Sequence, residues 1–401
     1  MTTTLVVTAA SEGRSFIRPS LPRWDMSKVA AALVFLLAVC SVGLASSSPV
    51  EVLYVETHSL PPQQLDLLYT YNVNPETAGA EQVGSPLPVP TTSIDPLTVN
   101  GKHVLYLWNG TDVWKYNTNA QGAPEPHASQ HLKFGYPYPV FSFLTNPSGK
   151  FAYAVTSWAD QQGNNYDGIR LFTIDKTTGD LTDTGKTVAT YGPDPYIWFY
   201  GYSFGNSGKA LFARWQESAP FTFGIGYDYY GVNQTTGMLG PLKLVPNSEP
   251  SSCNDSCGVG ITDLVVATTA NEGGSGLGIV QISNNVTGQT ITCQSSMLSL
   301  CGDAGDPYID PSGQNVFFLD GDTEIAHIDF ANSQLDAASS IPELHVPVIF
   351  SPDSRLVYIY SRNMFSINVY AFQASTGEIG AQSSISEISE PASVTIAATT
   401  L

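Results

Sequence analysis

Five acidic residues of this chain stand immediately before a proline: Asp95, Asp194, Glu249, Asp306 and Glu390. Two more prolines of the same series, Pro139 and Pro347, follow Tyr138 and Val346, with His345 one residue further back. If the seven prolines mark the same point in seven repeated strands, five carboxylates converge on one ring. The tetrapeptide Asp-Pro-Tyr-Ile occurs twice, at 194–197 and 306–309. Strand alternation sets Asp194, Tyr196 and Trp198 on one side, and Asp306, Tyr308 and Asp310 likewise. Carboxylates beside aromatic faces hold a cation by charge, or a neutral sugar by hydrogen bonds and ring stacking. They repel phosphorylated substrates. Asp95, Asp194, Tyr196, Glu249, Asp306, Tyr308 and Glu390 are therefore the expected ligand-binding set. No organic cofactor is implied, and Ca²⁺ is the metal that a ring of carboxylate oxygens suits. His345 is the candidate general base, with Asp194, Glu249, Asp306 and Glu390 as acidic partners. The plainer reading is that Asp before Pro starts a turn and that these acids are solvated strand ends.

Other short patterns carry less. Gly201-Tyr-Ser-Phe-Gly205 has the spacing of a nucleophile elbow, but it precedes a Gly-Asn-Ser-Gly-Lys turn and no helix. The glycine-rich run 273–278 comes before a strand, the reverse of the order in a dinucleotide site. His58, His103, His127, His131 and His327 show no metal-type pairing, since His127 and His131 follow a Pro-containing loop and not a helix.

The elements that position these residues repeat. A tight turn followed by an alternating strand recurs as NPSGKFAYAV at 146, GNSGKALFAR at 205, DPSGQNVFFL at 310, SPDSRLVYIY at 351 and, more loosely, VNGKHVLYLW at 99. With two degenerate copies, the aligned strand positions are Tyr54, Tyr106, Tyr153, Phe212, Val265, Phe317 and Tyr358. A second unit, a period-two strand entering a Thr-Gly turn, recurs as IRLFTIDKTTGDL at 169, YDYYGVNQTTGML at 227 and INVYAFQASTGEI at 367. Two hairpin signals per period mean about four strands, and no stretch has helical periodicity. The prediction is an all-β, seven-bladed propeller of four-stranded blades spanning residues 46–401. The last segment, PASVTIAATTL at 391–401, is a strand without a blade of its own, so it is expected to join the first blade and close the ring.

These two units resemble those of the 6-phosphogluconolactonase-like and YVTN-type seven-bladed propellers over nearly the whole of residues 46–401. The resemblance implies the propeller fold and, as one of two functions, hydrolysis of lactones or related esters. That family's Pro-Arg-His motif does not occur in this chain. The other function is a binding or scaffolding protein that uses the acidic, aromatic mouth for a small-molecule or carbohydrate ligand or a partner.

Composition limits the setting. The chain has 35 acidic and 16 basic residues, a net charge of −19, which excludes the clustered Lys and Arg of a nucleic-acid binder. An apolar run of 16 residues, Val29–Leu44, follows Lys28 and ends in small residues, the layout of a cleaved export signal over 1–45 whose start is Met1 or Met26. The mature chain is then expected to be a secreted or periplasmic monomer without stable membrane insertion. Cys40 sits in a segment that also resembles a lipoprotein box. Cys253, Cys257, Cys293 and Cys301 remain, an even number that reads as two disulfides with three pairings open; a zinc site is the alternative.

Overall fold

Middle strands in this protein are apolar on both faces. All six residues of Leu356–Ser361 are buried, and so are the first five of Phe151–Ala159. A sheet with two apolar faces must be covered twice, and a circle of identical sheets does this without a lid. The computed structural model describes residues 50–401, apart from 59–65, 91–92, 195–196, 220–221, 245–258, 262–264, 271–275, 282–289, 293–307, 342–347, 362–364, 387–392 and single positions near 100, 206, 321, 330–333 and 401. The predicted export segment, the four mature cysteines and the glycine-rich run at 273–275 thus lie outside the described residues.

Six four-stranded antiparallel blades follow one another along the chain. The first is β5 (Ser93–Val99), β6 (Lys102–Trp108), β7 (Asp112–Asn117) and β8 (Gln130–Lys133). The second is β9 (Val140–Thr145), β10 (Phe151–Ala159), β11 (Asn165–Ile174) and β12 (Leu181–Asp194), and the third β13 (Ile197–Phe204), β14 (Ala210–Ala219), β15 (Thr222–Val232) and β16 (Leu239–Leu244). The fourth holds β17 (Val259–Ile261), β18 (Val265–Ala270), β19 (Gly276–Gln281) and β20 (Thr290–Thr292). The fifth holds β21 (Tyr308–Ile309), β22 (Asn315–Asp320), β23 (Asp322–Asp329) and β24 (Gln334–Ile341), and the sixth β25 (Val348–Phe350), β26 (Leu356–Ser361), β27 (Ser366–Gln373) and β28 (Glu378–Ile385).

The expectation of seven four-stranded blades is corrected here: six have that form. The remaining sheet is a five-stranded composite of β29 (Ser393–Thr400), β1 (Glu51–His58), β2 (Asp66–Val73), β3 (Ala80–Gln82) and β4 (Leu87–Val89). Its outer edge is split, with β3 pairing Tyr71–Val73 and β4 pairing Asp66–Leu68. The cause is local. Gly84 takes a φ of 73°, and Pro86 and Pro88 have no N–H for the ladder, so one outer strand becomes two. Within this sheet β29 pairs with all eight residues of β1, from Glu51 opposite Thr400 to His58 opposite Ser393, so the two ends of the described chain share one sheet. Among the described residues no helix is long and apolar enough to cross a membrane.

Apolar layers fill the spaces between neighbouring sheets. Tyr358 and Ile367 of the sixth blade pack with Leu53 and Tyr71 of the composite sheet. Val52 and Leu68 pack with Leu105 and Leu107 of the first blade, and further layers join the first blade to the second, the second to the third, and the fifth to the sixth. A polar clasp crosses three of these layers. Tyr54 Oη donates to Gly122 O at 2.7 Å, Tyr106 Oη to Gly179 O at 2.6 Å, and Tyr153 Oη to Gly237 O at 2.8 Å. The two repeat units of the sequence are thus physically coupled, the strand tyrosine of one sheet to the turn of the next. Gly237 is required twice over: its φ is 71°, and a Cβ there would lie 2.7 Å from Phe151. Where the tyrosine is replaced by Phe317, Ser339 Oγ donates to Gly377 O at 2.8 Å instead.

Two outcomes are expected. Tyr153→Phe leaves the buried Gly237 carbonyl without its donor and should cost about 1–2 kcal/mol by denaturant titration, with unchanged secondary structure by circular dichroism. Removing residues 392–401 uncovers the whole edge of β1 and should abolish the single cooperative transition in calorimetry; a truncated chain melting like the full one would contradict ring closure.

Candidate functional site

Of the seven prolines, Pro96 and Pro139 lie among the described residues, and these two stand at different heights on their strands. Pairing with the aligned aromatic residue fixes height along each inner strand, and that level is occupied by Asp95 opposite Tyr106, Leu144 opposite Tyr153, Ser203 opposite Phe212, Tyr308 opposite Phe317, Ile349 opposite Tyr358 and Ala397 opposite Tyr54. Asp95 and Tyr308 share the level. Tyr138 lies six residues earlier than Leu144, and Asp194 closes the outer strand β12, opposite Asn165, before the chain turns into β13. Bulges between Val155 and Thr156 and between Phe199 and Gly201 add to the offset, while Pro96 lies inside β5, at a sheet edge that can do without its N–H. Tyr196, Glu249, Asp306, His345 and Glu390 lie outside the described residues, as does the side chain of Asp194. Ser203 sits within β13 and no helix follows it, which removes the nucleophile-elbow geometry. Among the described residues no three His, Cys, Asp or Glu side chains gather as a metal site.

Asp95 is the one carboxylic acid among the six residues at that level. Elsewhere the inner strands meet through apolar residues: Leu144 and Phe204 pack into one layer, Tyr308 and Phe350 into another, Ile349 and Ala398 into a third. Between β5 and β9 the contact is a carboxylate clasp, in which Thr145 N donates to Asp95 Oδ2 at 2.7 Å and Thr145 Oγ1 to Oδ1 at 2.9 Å. Burial pushes the Asp95 carboxyl up to about 7, against the opposing pull of the two Thr145 bonds. An acid that titrates near neutrality can bind a cation, accept from a hydroxyl or exchange a proton.

A second feature stands at the leading end of the inner strands, where β9 begins. Tyr138, Trp158 and Tyr166 form a three-ring stack, with centroids 5.2 Å and 5.5 Å apart and planes within 5° and 6°. Tyr138 comes just before β9, Trp158 from the end of β10 and Tyr166 from the start of β11, so the antiparallel register brings them together. Tyr166 Oη donates to Asp160 Oδ2 at 3.1 Å, which anchors the inner ring. Tyr138 is 41% exposed and is the outer ring of the stack. Asp194 is next to this stack in register, since its partner Asn165 precedes Tyr166. Sequence reasoning found Tyr138 and Asp194 separately. It missed Trp158 and Tyr166, whose only signal is that both stand at the β10–β11 hairpin end opposite the Thr-Gly turn.

Two further carboxyls interrupt the apolar layers. Asp167 of β11 accepts from Tyr202 Oη of β13 at 3.0 Å, and burial pushes it up to about 6. Glu56 of β1 is wholly buried, and neither carboxyl oxygen has a hydrogen-bond partner among the described residues. Burial first, and the nearby Asp66 charge second, push it up to about 8. Such a group is held neutral at pH 7.

Comparison with known proteins adds the fold. No family model matches the chain, and no curated protein matches it in sequence. Among solved structures it is similar to a putative 6-phosphogluconolactonase from Bacteroides fragilis at 15% identity and a TM-score of 0.56, covering 88% of this chain and 99% of that one. A periplasmic gluconolactonase of Pseudomonas aeruginosa is similar at 12% identity and a TM-score of 0.54, covering 86% and 99%. A hypothetical selenium-binding protein from Sulfolobus tokodaii is similar at 9% identity and a TM-score of 0.53, covering 88% and 94%. The chain therefore has a lactonase-like propeller fold, one that proteins of other description also adopt.

Glu56 gives a pH signature. Its affinity for a proton rises on folding, so its contribution is present in full below its ordinary value of 4.5 and is lost as pH climbs to about 8. Glu56→Gln should match the parent at pH 5 and exceed it at pH 9 by a few kcal/mol, each tenfold of proton affinity being worth about 1.4 kcal/mol. Equal stability of the two at pH 9, by chemical denaturation, would show that the carboxyl is not held neutral.

Proposed function

We propose that the protein is a propeller of the extracytoplasmic space that binds a small neutral carbohydrate at the leading end of its inner strands, without transforming it. The observation that carries this reading is the Tyr138–Trp158–Tyr166 stack, which fixes an exposed ring flat beside the strand end bearing Asp194. A pyranose presents an apolar C–H face to such a ring and hydroxyls to neighbouring acceptors, and a ring already held in place loses little entropy on binding. The acidic balance of the chain favours a neutral or cationic ligand over a phosphorylated one. The apolar run at 29–44 supports export, as does the periplasmic setting of the gluconolactonase that shares the fold.

Hydrolysis of lactones is the second reading. It is favoured by the fold shared with the gluconolactonase and by an inner-strand carboxyl, Asp95, whose proton affinity burial raises to about 7.

Titration with neutral mono- and oligosaccharides, followed by tryptophan fluorescence, tests the first reading. A response is expected in the parent and a loss of about tenfold or more in affinity for Tyr138→Ala, the size of a lost stacking contact; no response from any sugar would overturn it. A lactone panel assayed from pH 5 to 9 separates the second. Turnover that rises through pH 7 in the parent and vanishes in Asp95→Asn would make the protein a hydrolase.

A further inference from the structure

At the opposite end of the sheets, where β5 turns into β6, a cavity of about 600 Å³ opens between the first and second blades. Its walls are Lys102 and His103 at the start of β6, Lys115 and Asn117 of β7, Ser129 before β8, and Asp180 before β12. The volume is that of an ordinary small-molecule site.

The charge of this cavity is unlike that of the chain. Lys102 and Lys115 against Asp180 leave its walls one positive charge, on a protein that carries −19. Lys115 is 3% exposed, an ammonium drawn into the inter-blade layer. Its Nζ donates to Thr178 O at 2.7 Å and to Asp180 Oδ1 at 2.5 Å. An ammonium has three protons, so one has no acceptor among the described residues. His103 Nδ1 is 2.9 Å from Thr98 Oγ1, its Nε2 has no partner among the described residues, and burial lowers its affinity for a proton. Lys102 is exposed at the rim. Three nitrogen groups thus have hydrogen-bonding capacity to spare in one concavity, while Asp180 and Asn117 supply acceptors. The Asn117 amide is partly engaged, its Nδ2 reaching Glu125 at 3.4 Å and its Oδ1 accepting from Ser129 Oγ at 3.4 Å.

We infer that this groove binds a small hydroxylated monocarboxylate, with its carboxylate on Lys115 and Lys102 and its hydroxyls on His103, Asn117 and Asp180. A dianion is disfavoured, because Asp180 already occupies one face of the Lys115 ammonium and would repel a second charge. A neutral polyol would leave the spare Lys115 proton facing a weaker acceptor. The site is independent of the aromatic stack, which lies at the other end of the sheets.

Calorimetric titration of the full chain with glycerate and gluconate tests this, with sorbitol as the neutral control and sulfate as the dianion. Binding of a carboxylate is expected, weakened about tenfold in Lys102→Gln and further in Lys102→Glu, the size of one charge-assisted hydrogen bond. Lys102 is exposed, so both variants should fold, and Tyr138→Ala should leave this binding unchanged. Absence of binding by either carboxylate, equal binding of sorbitol or sulfate, or an unweakened Lys102→Glu variant would overturn the assignment. Loss of binding in Tyr138→Ala would instead place the carboxylate at the stack.

Discussion

The sheets whose burial is described carry apolar residues on both faces, and neither face can be left in water. That constraint dictates the circle: Tyr358 and Leu53, Val52 and Leu105, Tyr153 and Trp215 must find one another across the gaps between sheets. A chain cut open at any gap would expose the faces of two sheets, so the pairing of β29 with β1 protects layers far from the termini. The tyrosine clasps act on the same gaps. Each fixes the tilt of one sheet against the turn of the next through a single buried bond, and the Gly at the turn is small enough to let the sheets close.

Against that apolar background the buried carboxyls are informative. Asp95, Asp167 and Glu56 each occupy a layer that elsewhere is filled with Leu, Phe and Ile, and each is pushed toward neutrality by burial. Their solutions differ. Asp95 and Asp167 are compensated by hydroxyl and amide donors from the next blade, whereas Glu56 escapes the cost of a buried charge by holding its proton. The first kind couples neighbouring blades, Asp95 from β5 to β9 and Asp167 from β11 to β13. The second is confined to the composite sheet, where it ties the strength of closure to pH.

Antiparallel register also sorts the surface into two ends with different chemistry. At the leading end of the inner strands the second blade gathers Tyr138, Trp158 and Tyr166. At the trailing end the first and second blades gather Lys102, His103 and Lys115 around a cavity. Since a blade is only a few residues tall, both ends are built from the same strands, and a shift of one residue in register would exchange the faces of every side chain on them.

Much of the architecture was legible in the chain itself. The turn-strand unit at Asn146 and the Thr-Gly unit at Gly179 or Gly237 are local codes: a positive φ favours glycine, with Ser354 taking that place at a φ of 59° in the Ser351 turn, and a half-buried strand needs aromatic and β-branched residues. Repetition of a local code fixes the sheets, and a leftover strand at 393–400 fixes closure. Pro86, Pro88 and Gly84 were equally visible, yet whether a broken outer strand remains one edge or becomes two depends on where its halves find partners on β2. The site was less legible because proline marks a strand's approach but not its height. Asp95 and Asp194 share a sequence motif, and only the bulges and pairings separate them by level. Proximity across a gap between sheets has no local code at all: Lys115 meets Asp180 from 65 residues away, and Asp95 meets Thr145 from 50. Local chemistry therefore determined which sheets this protein makes, and packing in three dimensions alone decided which of their polar groups meet.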